Sequence, residues 1–358
     1  MKICVFGMRG FPNVEGGVEK HCEAIYPRMG DEFEIIVLRR KPYVRNVSAS
    51  FKHISFIDLP STRIKGFEAL FHSFVSTLKV IRIKPEVVHI HNIGSCLFSS
   101  LIRKKGIPIV LTYHSPNYEH KKWGKFAKTL LQFCEKTAFK NADRIIYVNH
   151  FQMKKAPRWV QDKSVYIPNG IPTPNLSCSD DRLEKWGLSK DKYILAVGRI
   201  TPEKGFDDLI EAFNKANLPD IKLAIAGGVE FEKGYMNRLE KISDKSKVAF
   251  TGYVYGEDLQ QLYNNAGLFV LSSHNEGFPL VLLEAMSYGL PVIVSDIPAT
   301  HLVSLGETRY YPVGDTDKLA KALCDNIPSG ARASYDLSAY NWQEIATQTG
   351  SIFESLLP

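Results

Sequence analysis

The stretch at residues 269–289 reads FVLSSHNEGFPLVLLEAMSYG. It predicts a short buried strand (269–271), a polar loop (272–277) and a helix opened by Pro279, whose missing N–H would have no partner in a first helical turn. Glu276 lies in the loop, and Glu284 follows eight positions later in an otherwise apolar helical run. A buried carboxylate is costly unless hydrogen bonds satisfy it, and the N–H groups at a helix start attract anions. The stretch therefore indicates an anion-binding strand–loop–helix, with a capped helix and a surface glutamate as the alternative.

Length and composition favour two globular domains. The chain has 358 residues, which is too long for a single core of ordinary size. Its hydrophobic residues make up 44% of the sequence, as in a globular protein. Six cysteines without a CxxC motif argue against a zinc site or a disulfide framework and fit a reducing cytoplasm. The first residues lack the apolar core of a signal peptide, and no apolar run approaches the roughly 20 residues of a membrane span. We therefore expect a cytoplasmic protein.

Charge is divided unevenly along the chain. Residues 1–165 carry 28 Lys and Arg against 13 Asp and Glu, whereas the remainder carries 17 against 25. Such asymmetry suggests two modules with different partners. The basic module could face nucleic acid, anionic lipid or a phosphorylated acceptor, and ordinary solvated surface charge is the alternative.

The N-terminal strand, predicted at 2–6, runs into a glycine-containing loop and then a helix. The loop, GMRGFPNVEGG, ends with Gly16 and Gly17. A glycine-rich loop between a strand and a helix brings backbone amides close to a phosphate. The spacing is not GxGxxG, so a dinucleotide fingerprint does not follow, and a tight glycine turn fits equally well.

Three further features of the first half could belong to a site or to the core. Apolar residues recur at helical spacing over 65–84, which fits a helix lying on a membrane but is better explained as a Rossmann helix packed on the core. His89 and His91 share one face of a strand predicted at 86–91. With no third ligand in view, a structural or substrate-contacting pair is favoured over a metal site. His114 follows a strand predicted at 108–113, where ligand crevices of parallel sheets lie.

The second half contains a strand predicted at 193–197 that leads into GRITPEKG and then a helix. Arg199 and Lys204 could neutralise a diphosphate leaving group, the guanidinium by paired hydrogen bonds and the ammonium as a point charge. Two surface cations beside a glycine turn are the alternative.

These motifs, in this order, resemble family 4 of the retaining, nucleotide-sugar-dependent glycosyltransferases. Glu276 and Glu284 match its Glu-x7-Glu signature, and GR…EKG matches its diphosphate clamp. GMRGFPNVEGGVEKH is similar to the N-terminal domain of bacterial surface-polysaccharide enzymes, TYHSPNYEHKKWG to the THHG-type segment, and SVYIPNGI to the interdomain turn. The resemblance implies the α/β GT-B architecture, two Rossmann-like parallel-sheet domains facing across a cleft. Its domains would be an acceptor-side domain at 1–168 with a crossover helix at about 342–358, and a nucleotide-sugar domain at 169–341.

The resemblance also implies residue roles. Glu284 would bind ribose hydroxyls, and the donor sugar would be held by Glu276 and the residues after it, namely Gly277, Phe278, Pro279 and Leu280. The diphosphate would be bound by Arg199, Lys204, Gly16, Gly17 and Gly198. The nucleotide base would lie near Gly252, Tyr253 and Val254. His114 would lie near the donor sugar and the reacting centre, so the catalytic candidates are His114, Glu276, Arg199 and Lys204.

The acceptor side of the resemblance shows departures. Ser115 and Asn117 replace the Gly and Asp of many relatives, and the candidate acceptor contacts are Tyr118, Lys122 and Trp123. The implied reaction needs no metal or organic cofactor, and its donor would be a UDP-, dTDP- or GDP-sugar. The acceptor would be a polyprenyl-pyrophosphate-linked or other glycan in capsule, O-antigen or exopolysaccharide synthesis. An anionic membrane surface is an expected partner, and nucleic acid is not. A nucleotide-sugar epimerase, a PLP-dependent phosphorylase and a non-catalytic sugar-nucleotide binder remain alternatives.

Overall fold

The computed structural model describes residues 1–14, 16–44, 51–62, 67–116, 125–171, 173–176, 179–229, 233–327 and 330–357. The chain forms two compact units, which we call unit 1 (Met1–Gly170 with Ala339–Pro358) and unit 2 (Ile171–Ser338). The sequence predicts an acceptor-side domain at 1–168 with about 342–358, and a nucleotide-sugar domain at 169–341. The roles of the two domains remain predictions.

Unit 1 is built on a parallel sheet that has seven strands within the described ranges, in the order β3-β2-β1-β4-β5-β6-β7. The strands are β1 (Lys2–Phe6), β2 (Glu34–Arg40), β3 (Ile54–Leu59), β4 (Val87–His91), β5 (Ile109–Tyr113), β6 (Arg144–Tyr147) and β7 (Ser164–Tyr166). Val5 of β1 is in register with Val37 on one side and His89 on the other. The central strands are buried on both faces, which explains their nearly continuous apolar sequences.

The helices of unit 1 cover this sheet and alternate with its strands. They are α1 (Gly17–Ile25), α2 (Glu68–Ile83), α3 (Ser99–Arg103), α4 (Lys125–Asn141), α5 (His150–Lys155), α6 (Arg158–Gln161) and the C-terminal α12 (Trp342–Glu354). The C-terminal helix belongs to the same compact unit as the N-terminal strands, and its Phe353 ring packs against Phe33 with the ring centres 6.2 Å apart.

Unit 2 repeats the architecture with a parallel sheet whose described part has six strands, ordered β10-β9-β8-β11-β12-β13. These are β8 (Tyr193–Val197), β9 (Lys222–Ala226), β10 (Val248–Gly252), β11 (Leu268–Leu271), β12 (Val292–Ser295) and β13 (Tyr310–Tyr311). The helices are α7 (Phe206–Ala216), α8 (Lys233–Ile242), α9 (Glu257–Asn265), α10 (Leu280–Ser287) and α11 (Thr316–Asp325). The predicted pair of Rossmann-like parallel sheets is confirmed.

Strand order reverses once in each sheet. The chain starts in the middle, adds strands toward one edge, and returns to the other side, so the reversal lies between β1 and β4 in unit 1 and between β8 and β11 in unit 2. Ligands of open α/β sheets bind outside the carboxyl ends of the strands at such a point. We therefore expect a ligand site in the loops that follow these four strands.

Helix α2 corrects one interpretation of the sequence. Part of the apolar stripe expected to pack on the core faces outward, with Phe67, Phe74 and Leu78 exposed by 53%, 41% and 39%, whereas Val75 packs against the core. The buried face is instead mostly small and polar, formed by His72, Ser73, Ser76, Thr77 and Val80. Small side chains let the helix lie close to its neighbours, and Ser73 Oγ donates a hydrogen bond to the Ser95 carbonyl at 2.6 Å. A periodic apolar stripe shows that a segment is helical, but not which side is buried.

Across the described residues, no helix combines the length and the apolar character needed to cross a bilayer.

Gly7 holds the loop after β1 against the end of β4, and its replacement tests that contact. Its φ is 112°, and an added Cβ would lie 2.0 Å from the His91 carbonyl oxygen. We expect Gly7→Ala to lower the free energy of unfolding by about 2 kcal/mol or more beyond Gly106→Ala, because backbone must shift. Gly106 is a matched control, since its φ is 71° but a Cβ there meets nothing within 4 Å. Its replacement should cost about 1 kcal/mol. Equal urea midpoints for the two variants, followed by circular dichroism, would contradict this account.

Candidate functional site

Two loops of unit 2 meet at the carboxyl ends of β8 and β11. The Ser272 hydroxyl donates to the Lys204 carbonyl at 2.8 Å, and the His274 amide donates to the Glu203 carbonyl at 2.8 Å. Gly205 makes this approach feasible, because its φ is 61° and a Cβ would lie 2.2 Å from the Ser272 carbonyl oxygen. The glycine that ends GRITPEKG is thus required by the contact between the loops.

The side chains of Lys204 and Glu276 form an ion pair between these loops. Lys204 Nζ lies 2.5 Å from Glu276 Oε1, and the two side chains are only 15% and 12% exposed. The Ser273 hydroxyl donates to the same carboxylate oxygen at 2.7 Å. Charges this far from solvent need a partner to offset their lost hydration. The structure therefore brings together the residue predicted to bind a diphosphate and the residue predicted to bind a sugar.

Arg199 stands closer to solvent than Lys204. Its side chain is 45% exposed, and its guanidinium lies 3.9 Å from Glu203 Oε1. The preceding residue, Gly198, donates its N–H to the Ala226 carbonyl at 2.9 Å and so continues the pairing of β8 with β9. This contact fixes the point at which the chain leaves the sheet and turns Arg199 outward.

Glu284 lies on α10 and is held by a residue that sequence reasoning did not find. The hydroxyl of Tyr263, on α9, donates to Glu284 Oε2 at 2.8 Å. The Tyr263 ring is buried, and its pKa is raised well above the usual value by burial and then by the Glu284 charge. This bond satisfies the carboxylate within an apolar helix. Helix α10 begins at Leu280 with Pro279 as its N-cap residue, one position later than predicted.

The turn predicted to face a nucleotide base lies beside the loop that follows β8, which has the sequence GRITPEKG. The Gly227 N–H donates to the Gly252 carbonyl at 3.0 Å, and a Cβ on Gly227 would lie 1.8 Å from the Gly198 carbonyl oxygen. Tyr253 is 44% exposed, and its ring lies over Gly228, where a Cβ would come within 2.0 Å of it. Val254 follows directly in the same loop.

In unit 1, the loop after β1 ends over a buried carboxylate. Gly16 has φ 139° and precedes α1, which starts at Gly17. A Cβ on Gly16 would lie 2.0 Å from a Glu19 carboxylate oxygen, and that carboxylate accepts the Arg9 N–H at 2.9 Å. Burial raises the pKa of Glu19. The sequence pattern predicts a role for the two glycines, but it gives no sign of the buried Glu19 carboxylate beside them.

Histidines from three elements converge at the reversal point of unit 1. His21 of α1, His91 at the end of β4 and His114 after β5 are buried, and each offers a ring nitrogen within 4.8 Å of the others. The view that no third histidine accompanies the His89-x-His91 pair is therefore wrong, because the fold places two beside His91. Hydrogen bonds engage these rings, with His21 Nδ1 to Asn169 Oδ1 at 2.6 Å and His91 Nδ1 to His114 Nε2 at 3.0 Å. The absence of a metal remains a prediction.

Burial keeps these imidazoles neutral. It lowers the pKa of His21 to about 4 and that of His89 to about 3. Burial and neighbouring histidines lower the pKa of His91 and of His114 well below the usual value. A neutral imidazole has one N–H and one acceptor nitrogen, so each ring needs a donor on one side and an acceptor on the other.

Part of the predicted acceptor side cannot be placed. Asn117, Tyr118, Lys122 and Trp123 lie outside the described residues, whereas Ser115 lies inside them.

The buried histidines predict an acid-sensitive unit 1. Their unfolded-state pKa is near 6.5, so the unfolded chain binds more protons below that pH and stability falls as pH drops from about 6.5 toward 4. His72, with its pKa lowered to about 3 by burial and then by Arg40, contributes to this slope. We expect His72→Gln to reduce the slope by up to about 1.4 kcal/mol per pH unit, measured by urea unfolding between pH 6.5 and 4.5. Lys52→Gln, at an exposed lysine of the same unit, is the control. A slope identical in wild type and His72→Gln would refute the assignment.

Two family comparisons cover most of the chain. Residues 15–174 match the family described as Glycosyltransferase Family 4, and residues 180–326 match Glycosyl transferases group 1. O-antigen chain mannosyltransferase B of Escherichia coli is 30% identical over 241 residues, 62% of this chain and 60% of that protein. Two alignments with curated relatives span 54% and 60% of those relatives' lengths.

Solved structures show the same fold. A sucrose-phosphate synthase from Thermosynechococcus elongatus aligns with a TM-score of 0.81 at 23% identity, covering 99% of this chain and 98% of the other. HepE of Anabaena, solved with UDP and glucose, aligns at 0.72 with 20% identity and the same coverage. These matches do not favour an epimerase or a non-catalytic binder. Residues 15–174 therefore match a family 4 glycosyltransferase domain and residues 180–326 a group 1 glycosyltransferase domain, and the two Rossmann-like units have the fold of GT-B structures.

Proposed function

We propose that this protein transfers a sugar from a nucleoside diphosphate sugar to an acceptor hydroxyl, with retention at the anomeric carbon. The observation that carries the proposal is the ion pair between Lys204 and Glu276, which joins the loops after β8 and β11. A nucleotide sugar has an anionic diphosphate bonded directly to a hydroxyl-rich ring. An ammonium and a carboxylate 2.5 Å apart suit those two adjacent groups.

Departure of the nucleoside diphosphate is the step in which charge develops. The diphosphate gains negative charge as the glycosidic bond breaks, and fixed cations stabilise that charge more than the ground state. Lys204 would supply a partly buried point charge, and Arg199 paired N–H donors from the more exposed side. Gly198 would leave room for the phosphates in unit 2, and a phosphate-binding role for Gly16 and Gly17 of unit 1 remains a prediction. Two cations with amide donors can perform the charge neutralisation that a metal would otherwise perform, so we propose a metal-independent reaction.

Glu284 would hold the ribose of the nucleotide. Its Oε2 accepts from the Tyr263 hydroxyl, and this bond would help to orient the carboxylate toward the ribose hydroxyls. The exposed Tyr253, with Gly252 and Val254, would lie against the base. We propose a UDP-, dTDP- or GDP-linked donor, and the UDP in the HepE structure supports the first of these.

The reaction we propose has no enzymic nucleophile. Glu276 is already paired with Lys204, and its role would be to hold sugar hydroxyls with the amides of Gly277 and Phe278. The departing phosphate oxygen would help to take the acceptor proton on the same face of the sugar. Neutral His114 would hydrogen-bond to the substrate near the reacting centre.

The acceptor would be a polyprenyl-pyrophosphate-linked or other glycan at an anionic membrane face. The exposed apolar residues Phe74 and Leu78 of α2 support this, as do exposed cations at the end of α2 and at the end of α3. Those cations are Arg82, Lys84, Arg103, Lys104 and Lys105. Apolar side chains flanked by Lys and Arg favour an anionic lipid surface. With the O-antigen relative, this supports a role in bacterial surface-polysaccharide synthesis.

Arg199→Ala tests the clamp. We expect turnover to fall by about 10² to 10³, because a charge contact made chiefly in the transition state is removed. The donor would first be chosen by thermal shift among UDP-, dTDP- and GDP-sugars, since a ligand at 100 times its Kd stabilises by about 2.7 kcal/mol. Nucleoside diphosphate release with acceptor present gives the rate. Arg238→Ala, at an arginine of unit 2 whose partner is Asp207, is the control and should keep wild-type turnover. A wild-type rate for Arg199→Ala would mean that the clamp is misassigned.

Vesicle co-sedimentation tests the membrane surface. We expect binding to vesicles that contain anionic lipid at low salt, weaker binding at high salt, and loss of binding in Phe74→Glu/Leu78→Glu. Val313→Glu places the same charge at a similarly exposed apolar residue of unit 2, 41% exposed, and should bind like wild type. Sedimentation that ignores lipid charge would count against an anionic membrane partner.

A further inference from the structure

A continuous line of hydrogen bonds runs through the core of unit 1 behind His114. His114 Nε2 lies 3.0 Å from His91 Nδ1, and His91 Nε2 lies 2.6 Å from the Tyr26 hydroxyl. The same hydroxyl lies 2.8 Å from His89 Nδ1, and His89 Nε2 lies 2.7 Å from Thr112 Oγ1. All five residues are buried. We call this line the imidazole chain.

The imidazole chain has only two consistent arrangements of its protons. Burial raises the pKa of Tyr26 well above its usual value, so its hydroxyl keeps one proton, which it can donate to His89 or to His91 but not to both. If it donates to His89, then His91 donates from Nε2, His114 donates from Nε2, and His114 Nδ1 is an acceptor. If it donates to His91, every ring reverses and His114 Nδ1 carries the proton. Neutral rings with one N–H each allow no mixture without a broken bond.

We propose that Tyr26, His89 and Thr112 are positioning residues that determine, through His91, which ring nitrogen of His114 carries its proton. The catalytic consequence rests on the proposed function, in which His114 lies beside the reacting sugar. Its Nδ1 would present either an acceptor or a donor to a substrate hydroxyl, and only one of these suits a given hydroxyl. A tautomer set in advance avoids reorganisation during the reaction.

The packing around the imidazole chain supports a fixed arrangement. His21 meets His114 edge to face with ring centres 5.0 Å apart, and it meets Trp342 on another side at 5.6 Å. Asn169 Oδ1 can only accept, so His21 Nδ1 must donate to it. Trp342 and Asn169 hold His21 in place, and the His21 ring in turn restricts how the His114 ring can turn. In a buried network, an unpaired N–H is costly, so the proton positions are coupled along the whole chain.

Two readouts test the imidazole chain. Nitrogen-15 NMR of the full-length protein labelled at histidine distinguishes protonated from unprotonated ring nitrogens, with the His114 signals assigned by their loss in His114→Gln. We expect one tautomer in wild type and a mixture in Tyr26→Phe, which removes only the hydroxyl. Steady-state kinetics should show kcat lowered about tenfold with the donor KM unchanged, about the effect of one lost hydrogen bond. Thr112→Val should act in the same direction, and Thr112→Ser should restore wild-type behaviour.

Tyr193→Phe is the matched control. Tyr193 is also fully buried, and its hydroxyl donates to the Leu262 carbonyl at 2.6 Å in unit 2. That variant should leave the His114 tautomer and kcat unchanged. An unaltered His114 spectrum in Tyr26→Phe would overturn the proposal, and an altered spectrum with unchanged kcat would overturn its catalytic part. If no nucleotide sugar is turned over by wild type while the spectrum responds as expected, the proposed function fails and the imidazole chain stands.

Discussion

The pairing of Lys204 with Glu276 is the interaction on which the site of unit 2 depends. Neither side chain is more than 15% exposed, so each would carry an unpaired, poorly hydrated charge without the other. The pair requires the loops after β8 and β11 to touch, and Gly205 allows this because no side chain fits against the Ser272 carbonyl. The arrangement places a cation and a carboxylate at the point where strand order reverses. An anionic ligand that entered there would meet charge already held in position.

Unit 1 meets the same topological condition with different chemistry. Its reversal point is lined by neutral imidazoles, which burial deprives of charge and hydrogen bonds hold in place. The contrast follows from the side chains that the two loop sets bring in. Charged groups in unit 2 suit a diphosphate, whereas neutral donors and acceptors in unit 1 suit hydroxyl groups.

Much of the fold could be predicted from local sequence. Central strands such as β1 and β8 have the predicted bounds, because strands buried on both faces are short apolar runs that end at glycine turns. Strand β3 was not predicted, and its two-sided exposure leaves no continuous apolar run to identify it. The outward position of Phe74 and Leu78 on α2 could not be foreseen, since periodicity is the same whichever face is buried. The motifs mark Lys204, Glu276 and Glu284 as candidate site residues, whose roles remain predictions, but they do not identify the partner of Glu284. Tyr263 lies 21 residues away on another helix, and only packing brings it to that carboxylate.

The sequence by itself determined the alternation of strands and helices, the positions of the glycine turns and the types of side chain that follow β8, β11 and β5. These depend on neighbours along the chain, where sterics and apolar periodicity act. The tertiary structure decided which of those side chains meet. His21, His91 and His114 are separated by up to 93 positions yet lie within 4.8 Å at one edge of a sheet. The physical reason is that parallel strands gather their carboxyl ends at one edge whatever the distance along the chain, and strand order, which local sequence does not encode, selects the neighbours.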